Sequence, residues 1–512
     1  MIPVQDFPVL VVVVPLFSAF LTPLLGMINR KYCWHIAVLA TLTSFLISTS
    51  LLNAVMQNGR ISYWLGNWEP PWGIEYAIDY LNAFVLVLVS FISVAVAIYS
   101  KRSVESELPE KIVPFYTIYM LLITGLLGIT VTGDVFNLYV FLEITSLSAY
   151  ALIAVGKKRE ALVASYNYLI LGTISATFIL LGIGYLYMAT GSLNMADLAQ
   201  RLPQLYDSKV ILCALAFFMV GLSIKVALFP LHVWLPDAYT HAPSAVSAIL
   251  AATATKVGAY AMIRVMLTVF RPELIVEKLP IADILSWFAA LAIIVGSALA
   301  IAQSDIKRML AYSSVAQIGY IMLGVGIATK LSMTGGIIHI LNHALMKCSL
   351  FLVAGAVVYR VGTVNIHEYE GLGKKMPLTM LAFTVAAFSM IGVPGTVGFV
   401  SKWYLVLAAI HEGEWIFAAV LILSSLLMIV YFWRIIEKIY FPKREIHHFR
   451  KEDGISRQLP DGIATNGGGE EREIPYTMLI PTLTLALLCV VFGLLAFLPL
   501  SVVELISEML VR

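Results

Sequence analysis

Residues 221–244 read GLSIKVALFPLHVWLPDAYTHAPS, an apolar segment that carries a lysine and is then interrupted by prolines. Lys225 has no charged neighbour in the sequence, and Pro230 and Pro236 follow it closely. A charged side chain at the centre of a bilayer costs about 2.5–3.5 kcal/mol on insertion scales, so a lysine here indicates a function. Because proline removes a backbone donor, the segment is predicted to be a broken helix.

The composition of the chain places this segment in a membrane. The 512 residues are 60% hydrophobic and 12% charged, whereas soluble domains have about 25% charged residues. A helix needs about 20 apolar residues to cross a bilayer, and we therefore expect an all-α integral membrane protein with fourteen spans. The predicted spans, numbered 1 to 14, are 5–27, 34–56, 79–99, 113–131, 135–155, 162–189, 210–229, 244–269, 282–302, 309–328, 332–358, 378–408, 415–439 and 476–498.

The distribution of lysine and arginine predicts the orientation of these spans. When each loop takes the number of the span before it, the odd loops carry 19 of these residues and the even loops carry 6. Positively charged loops face the cytoplasm, so the odd loops are predicted to be cytoplasmic and both termini to lie outside. The polar stretch 441–475 is rich in glycine, asparagine and glutamate and is predicted to be a flexible cytoplasmic loop.

A second interrupted span indicates an internal repeat. Residues 388–406 read FSMIGVPGTVGFVSKWYLV, in which glycines and Pro394 break the helix and Lys402 follows. Paired Gly/Pro-interrupted spans are typical of inverted-repeat transporters, so spans 4–8 and 9–13 are predicted to form two inverted five-helix repeats with discontinuous spans 7 and 12. The predicted units are 1–112 with spans 1–3, 113–269 and 282–440 as the repeats, 441–475 as the loop and 476–512 as a C-terminal helix.

The predicted spans carry several ionisable residues, of which Glu143, Lys225, Lys256, Lys347 and Lys402 are singled out. A long side chain near a helix end can reach the membrane surface, but Glu143, Lys225 and Lys256 have apolar flanks on both sides. Ionisable groups inside a membrane mark ion pathways and proton relays. These residues are therefore the first candidates for function.

Span 11 contains the segment GGIIHILNHALMKCSLFLVAG at residues 335–355. His339, His343 and Lys347 are spaced by four residues and share one helix face of about 12 Å. Three titratable groups in one stripe favour a hydrated, proton-conducting face. The two histidines also fit a metal site by spacing, but no third ligand is near them in the sequence, and no metal is predicted.

The chemistry of buried lysine suggests how such a path could switch. Burial favours the neutral amine, whereas a nearby carboxylate favours the ammonium form. Glu143 is a candidate for this carboxylate and would form a switchable ion pair with Lys225, but the sequence does not show that the two side chains touch. His232 and His241 near the first break are equally consistent with conduction groups and with interfacial residues, and the hydroxyl groups of span 8 either anchor water or bond to their own helix.

Other functional classes find no support in the sequence. The four cysteines are far apart without a CxxC motif, which argues against an iron–sulfur or zinc site. No basic cluster with interleaved aromatic residues is present, which argues against nucleic-acid binding. No cofactor is predicted to bind this chain, so any oxidoreductase chemistry would belong to partner subunits.

Several long motifs give the chain a resemblance to a known family. TGDVFNLYVFLEITSLSAYALIA at 132–154 resembles its fifth helix, KVALFPLHVWLPDAYTHAPSAVSAILAATATKVGAY at 225–260 its seventh and eighth, and SDIKRMLAYSSVAQIGYIMLG at 304–324 its tenth. HILNHALMKCSLFLVAG at 339–355 and GVPGTVGFVSKWYLV at 392–406 are similar to the eleventh and twelfth. The family is that of the antiporter-like subunits of Mrp-type sodium/proton antiporters, respiratory complex I and membrane-bound hydrogenases.

The resemblance implies roles for the matching residues. Glu143 and Lys225 would form the modulating ion pair, Lys256 with His339 and His343 would carry protons along the axis, and Lys402 would be the last carrier. Some members of the family hold glutamate at the position of Lys402, whereas the lysine here resembles the D-type subunits of Mrp antiporters and some complex I subunits. The resemblance favours an Mrp-D-like subunit, in a membrane-bound hydrogenase or a related complex.

The function expected from this resemblance is translocation of H⁺, and of Na⁺ if antiport occurs, by one subunit of a multisubunit complex in the cell membrane of a prokaryote. The expected partners are other membrane subunits, peripheral redox subunits and membrane lipid. The alternatives are a subunit of an NADH-quinone oxidoreductase, an autonomous secondary transporter and a scaffold that transports nothing.

Overall fold

The computed structural model describes residues 4–441 and 473–511. Within these residues, thirteen helices are long and apolar enough to cross a membrane, and two shorter apolar helices together form span 12. The all-α membrane architecture with fourteen spans is therefore confirmed. The spans, from 1 to 14, are Phe7–Ile28, Lys31–Asn58, Tyr80–Glu107, Ile112–Val131, Val135–Ala154, Arg159–Thr190, Lys209–Val226 followed by Trp234–His241, Ser244–Val269, Ile281–Ile301, Ile306–Ile327, Lys330–Val361, Pro377–Ile391 followed by Val397–His411, Trp415–Tyr440 and Tyr476–Leu494.

The helices differ from the predicted segments mainly at their ends. Span 3 continues to Glu107 and span 11 runs from Lys330 to Val361, because a helix extends past the apolar stretch that hydropathy detects. The predicted C-terminal unit 476–512 contains two helices, span 14 and Phe497–Val511. Most of the predicted loop 441–475 lies outside the described residues.

The connections outside the spans are short. Strands β1 (Ile61–Trp64) and β2 (Glu75–Ile78) form an antiparallel hairpin between spans 2 and 3, with Ile61 opposite Ile78. A two-turn helix, Met195–Arg201, follows span 6. Spans 8, 10, 3 and 11 are the most enclosed, with 94%, 89%, 78% and 78% of their most apolar windows buried, so they form the centre of the protein.

Two matching backbone junctions reveal the internal repeat. Asp134 caps span 5 and pairs with Asn194 in an isolated bridge, while Asp305 caps span 10 and pairs with Asn365 in the same way. In each junction, the residue after the aspartate donates its amide to the residue before the asparagine, at 2.9 Å in both cases. Because spans 5 and 10 are each second in their unit, the junctions mark equivalent points of spans 4–8 and 9–13.

Two cavities lie on opposite faces of the protein. One, of about 480 Å³, is lined by residues of the odd loops 3, 5, 7, 9 and 11, and the other, of about 430 Å³, by residues of the even loops 2, 4, 6 and 8. We call these the inner and the outer cavity, after the predicted orientation. Odd and even loops therefore lie on opposite faces, as alternating spans require.

Both discontinuous spans end their first half in a left-handed residue. Span 7a (Lys209–Val226) is followed by Ala227 at φ +60°, and span 12a (Pro377–Ile391) by Gly392 at φ +95°. Such a residue ends a helix and leaves its last carbonyl groups without helical partners. Side chains donate hydrogen bonds to some of these carbonyl groups. Trp234 of span 7b (Trp234–His241), for example, donates its indole N–H to the Ile224 carbonyl at 2.8 Å.

Gly398 allows the halves of span 12 to cross closely. A Cβ atom added to Gly398 in span 12b (Val397–His411) would lie 1.7 Å from the Ser389 carbonyl oxygen of span 12a. We expect Gly398→Ala to reduce the melting temperature and the yield of the purified protein, because the backbone at the break must move. Gly184→Ala is the matched control: it has open space around it, and alanine favours the helix by about 1 kcal/mol. Equal thermal stability of the two variants would contradict this expectation.

Candidate functional site

Glu143 and Lys225 meet where span 5 passes the first break. The Lys225 Nζ atom lies 3.5 Å from Glu143 Oε1 and 2.5 Å from the Ser146 hydroxyl oxygen. The lysine side chain is 6% exposed and the glutamate side chain 29% exposed. The contact that the sequence could only suggest is therefore present, with a serine as a third member.

The break in span 7 gives Lys225 a favourable position for a cation. Lys225 lies in the last turn of span 7a, two residues before the left-handed Ala227. The C-terminal end of a helix carries partial negative charge from its free carbonyl groups, which favours an ammonium group there. The helix end, Ser146 and Glu143 thus offset the loss of water around this amine.

Lys256 lies where the regular geometry of span 8 changes. Residues Leu250–Ala254 form a π-helical turn, a feature often found at functional sites. The Lys256 side chain is completely buried and donates to the Ala251 carbonyl in this turn, with the Thr255 hydroxyl at 3.5 Å. A widened turn therefore supplies the main polar partner of a lysine in the interior.

His343 lies between the other groups without a protein partner of its own. Its side chain is fully buried, and neither ring nitrogen has a hydrogen-bond partner among the described residues. Its ring centroid lies 5.9 Å from that of His339, and Lys256 and Lys347 lie within electrostatic range. Its buried imidazole, with no fixed protein partner, is therefore a candidate for proton exchange with its neighbours.

His339 is held on both sides by span 10 and span 12b. Its Nε2 atom lies 3.0 Å from the Gln317 amide oxygen, and its Nδ1 atom lies 2.8 Å from the Ser401 hydroxyl oxygen. An amide oxygen only accepts, so Nε2 carries the proton and Nδ1 faces a hydroxyl that can donate or accept. The arrangement suits a neutral imidazole that can take up a second proton at Nδ1.

Lys347, the third member of the stripe in span 11, points to span 10. Its Nζ atom donates to the Leu310 carbonyl at 2.7 Å and to the Ser313 hydroxyl at 2.6 Å. The side chain is fully buried, so these two oxygens are its fixed partners. Lys347 therefore stands beside the line of histidines instead of continuing it.

Lys402 closes the line at the second break. Its Nζ atom donates to the Met390 and Ile391 carbonyls at 2.8 and 2.9 Å and contacts the Ser425 hydroxyl at 3.1 Å. The Tyr320 ring centroid lies 5.3 Å from this amine and 5.3 Å from the His339 ring. The second break thus resembles the first, because a lysine lies at the free carbonyl end of a half-helix.

The two remaining histidines occupy different surroundings. His232 is buried at the break, and its Nδ1 atom has no partner among the described residues. His241 lies at the end of span 7b and lines the inner cavity. Nearby, Arg308 pairs with Asp237 at 3.2 Å and Lys307 donates to the Ala242 carbonyl at 3.0 Å. His241 is therefore placed at the inner mouth, and His232 inside the protein.

Sequence reasoning missed the neutral partners of this line, which are Ser146, Ser313, Gln317 and Ser401. Gln317 had a detectable signal, since a glutamine within the apolar span 10 is itself unusual. The serines had none, because a single serine in a spanning helix usually bonds to its own backbone. The described residues contain no cluster of three potential metal ligands.

Comparison with known proteins identifies relatives over nearly the whole chain. Residues 132–428 match the family described as NADH:quinone oxidoreductase/Mrp antiporter, transmembrane. The N-type subunit of the NADH-quinone oxidoreductase of Desulforudis audaxviator is 46% identical over 95% of each chain. The D-type subunit of the Na(+)/H(+) antiporter of Alkalihalophilus pseudofirmus is 35% identical over 76% of this chain and 78% of its own.

A solved structure shares both the fold and part of the sequence. It is a chain in the structure of a membrane-bound sulfane sulfur reductase, an archaeal respiratory membrane complex. The two chains superpose with a TM-score of 0.88 at 33% identity, covering 99% of this chain and 98% of the other. The likeness extends over every span described above.

Proposed function

The chain belongs to the NADH:quinone oxidoreductase/Mrp antiporter transmembrane family, and from this premise we propose that it is a proton-translocating subunit of an energy-converting membrane complex. The observation that carries the proposal is the line of titratable groups from Glu143 and Lys225, through Lys256, His343 and His339, to Lys402, all of which are buried except Glu143. Apart from His343, which has no hydrogen-bond partner among the described residues, each member lies beside a helix break, a π-helical turn or a buried hydroxyl.

Protons would enter from the inner cavity. His241 lines this cavity, and the start of span 8 leads from its floor at Pro243 towards Lys256. Approach of Glu143 would hold the Lys225 proton, and its withdrawal would release the proton to the next group. His232, Lys256, His343 and His339 would pass charge along the membrane plane to Lys402, and Lys347 would set the field beside the path.

The exposure of Glu143 supports a partner subunit in the membrane. The carboxylate belongs to a lateral face with exposed Phe136, Val140 and Leu147, and 29% of its side chain is exposed. A carboxylate on a face turned to lipid is strongly disfavoured. We infer that another membrane subunit covers this face and influences the ion pair.

The relatives define the candidate complexes. Their names include a D-type subunit of an Na⁺/H⁺ antiporter and an N-type subunit of an NADH-quinone oxidoreductase, and the similar structure is from a respiratory sulfane sulfur reductase complex. We propose a related assembly in a prokaryotic cell membrane, with the termini outside and the redox centres, where present, in other subunits. Co-purification of the native complex and identification of its subunits would separate an antiporter from a respiratory complex.

Glu143→Gln tests the proposed ion pair. We expect proton translocation by vesicles containing the complex to fall by about tenfold or more, because Lys225 loses the charge that holds its proton. The matched control is Glu110→Gln, which removes an exposed carboxylate between spans 3 and 4 and should leave transport unchanged. An assembled Glu143→Gln complex with wild-type transport would contradict the proposal and favour a scaffold.

A further inference from the structure

The outer cavity contains a buried polar cluster that the proposed path does not use. The cavity, of about 430 Å³, is lined by Asp79, Asn82 and Arg264, together with residues of the even loops. Asp79 caps span 3 and Arg264 belongs to the outer end of span 8. The cluster therefore joins the central span 8 to the outer face.

Arg264 is buried and bonded to several polar partners. Its side chain is 6% exposed, and its two terminal nitrogens bond to the Asp79 carboxylate at 2.7 and 2.9 Å. A further bond, of 2.6 Å, reaches the Asn82 amide oxygen. Asp79 thus cancels the charge of Arg264 at the mouth of the cavity.

Tyr260 continues this cluster towards the interior. The Asn82 amide nitrogen donates to the Tyr260 hydroxyl oxygen at 2.8 Å, and that hydroxyl donates to the Thr130 carbonyl at 3.0 Å. The Tyr260 side chain is fully buried. Lys256, Tyr260 and Arg264 are spaced by four residues, which places all three on one face of span 8.

The second repeat contains a comparable arginine, Arg434, without a tyrosine and a lysine at the positions that correspond to Tyr260 and Lys256. Arg434 of span 13 is half-buried and donates to the Ile301 and Gln303 carbonyls. Ile301 precedes Asp305 by four residues, as Thr130 precedes Asp134, so both arginines lie at the end of the first span of their repeat. Val430 and Leu426 stand where Tyr260 and Lys256 stand, and both are exposed.

The local helix geometry changes at both ends of this series. The segment Thr255–Ile263 is a regular α-helix, with the π-helical segments Leu250–Ala254 before it and Arg264–Val269 after it. π-Helical turns interrupt the regular backbone hydrogen bonds and are frequent at functional sites. The first irregular turn therefore ends two residues before Lys256, and the second begins at Arg264.

We propose that Tyr260 connects Lys256 to the outer cavity and gives the first repeat its own proton port on the outer face. This inference rests on the proposed proton translocation. For this transfer the Tyr260 hydroxyl leaves the Thr130 carbonyl and the Lys256 ammonium leaves the Ala251 carbonyl. The hydroxyl proton passes to water beside Asn82 in the outer cavity, and the proton from the Lys256 ammonium replaces it on the Tyr260 oxygen. Lys256 becomes neutral, and Tyr260 is restored as a neutral hydroxyl. Asn82, Asp79 and Arg264 are positioning residues, and the neutralised arginine does not repel the departing proton.

Tyr260→Phe tests the port, since it removes the hydroxyl and keeps the ring. We expect at least about a tenfold loss of proton translocation by the intact complex in vesicles. Tyr206→Phe is the matched control, because Tyr206 is also buried near the outer end of span 8 and its hydroxyl bonds to the Phe270 carbonyl at 2.7 Å. Wild-type transport by an assembled Tyr260→Phe complex would overturn the port.

Charge variants distinguish a proton port from a cluster that only stabilises the packing of spans 3 and 8. Asp79→Asn leaves the Arg264 charge uncompensated at the mouth and should reduce transport, whereas Asp79→Asn with Arg264→Gln removes both charges and should restore at least half of it. If the cluster only stabilises packing, the double variant should transport protons no faster than Asp79→Asn alone. This result would overturn the electrostatic role of the Asp79–Arg264 pair.

Two further measurements keep the port testable if Tyr260→Phe does not assemble. A cysteine introduced by Thr268→Cys, at the lining of the outer cavity, should react with a membrane-impermeant thiol reagent from outside and lose transport on reaction. Unchanged transport after complete labelling would overturn the port. Lys225→Ala in the same vesicles tests the underlying function: if it transports normally, the proposed function fails, whereas loss in Lys225→Ala with full activity in Tyr260→Phe rejects the port alone.

Discussion

Replacement of Lys225 by alanine is expected to abolish proton translocation by the assembled complex, with a loss of roughly 10²-fold or more. The amine joins Glu143 and Ser146 to the end of span 7a, and alanine offers no site for a proton. Transport is measured as acidification of vesicles that contain equal amounts of complex. Lys209→Ala is the control, because Lys209 is an exposed lysine at the other end of the same helix.

Lys225→Arg distinguishes a proton carrier from a fixed charge. Arginine pairs with Glu143 but stays protonated at any working pH, so it preserves the ion pair and prevents release of the proton. We expect this variant to assemble and to transport as poorly as the alanine variant. Full transport by Lys225→Arg would mean that the positive charge suffices and that no proton leaves this side chain.

Much of the fold could be predicted because lipid imposes simple rules on a sequence. Backbone polar groups must be paired within the membrane, so long apolar segments become helices, and Pro230 and Pro394 mark the two breaks. The ends of spans 3 and 11 could not be predicted, since polar helical turns beyond the hydrocarbon have no hydropathy signal. The separate helix Phe497–Val511 was missed for a different reason, because its sequence continues the apolar character of span 14.

For the candidate site, the sequence could predict individual residues but not the contacts between them. Because burying a charge in a membrane is costly, Glu143, Lys225 and Lys256 can be recognised in the sequence as candidate functional residues. Their hydrogen-bond partners cannot be recognised in this way, because tertiary packing determines them. Lys347 shows the limit: its spacing from His343 predicted one continuous stripe, yet its amine turns to Leu310 and Ser313. Arg264 was overlooked because it stands near the end of its span, where snorkelling is a sufficient explanation for a charged residue.

The two breaks place their lysines differently, and this difference has a mechanistic consequence. Lys225 lies on the half-helix whose end it occupies and has a carboxylate beside it. Lys402 lies on span 12b, reaches across the break to the carbonyls of span 12a, and among the described residues is within bonding distance of neutral groups alone. A neighbouring charge is therefore available to Lys225, whereas Lys402 is held by neutral dipoles alone.

Lys402→Met is accordingly expected to reduce proton translocation by roughly 10²-fold, because it removes the last titratable group in the line and keeps a side chain of similar length. The Met390 and Ile391 carbonyls lose a donor, so the melting temperature should fall as well, by an amount that corresponds to about 1–3 kcal/mol. Lys375→Met is the control, since Lys375 is exposed just before span 12a and its loss should change neither quantity.

Lys402→Arg and Lys402→Glu separate the two roles of this lysine. Arginine can still donate to the carbonyls of span 12a but does not release a proton, so stability should be retained while transport is lost. Glutamate can carry a proton but cannot donate to the carbonyls when ionised, so it should retain measurable transport at a lower stability. If Lys402→Arg transported protons at the wild-type rate, Lys402 would be a structural cap of the broken span, and the path would have to leave the protein elsewhere.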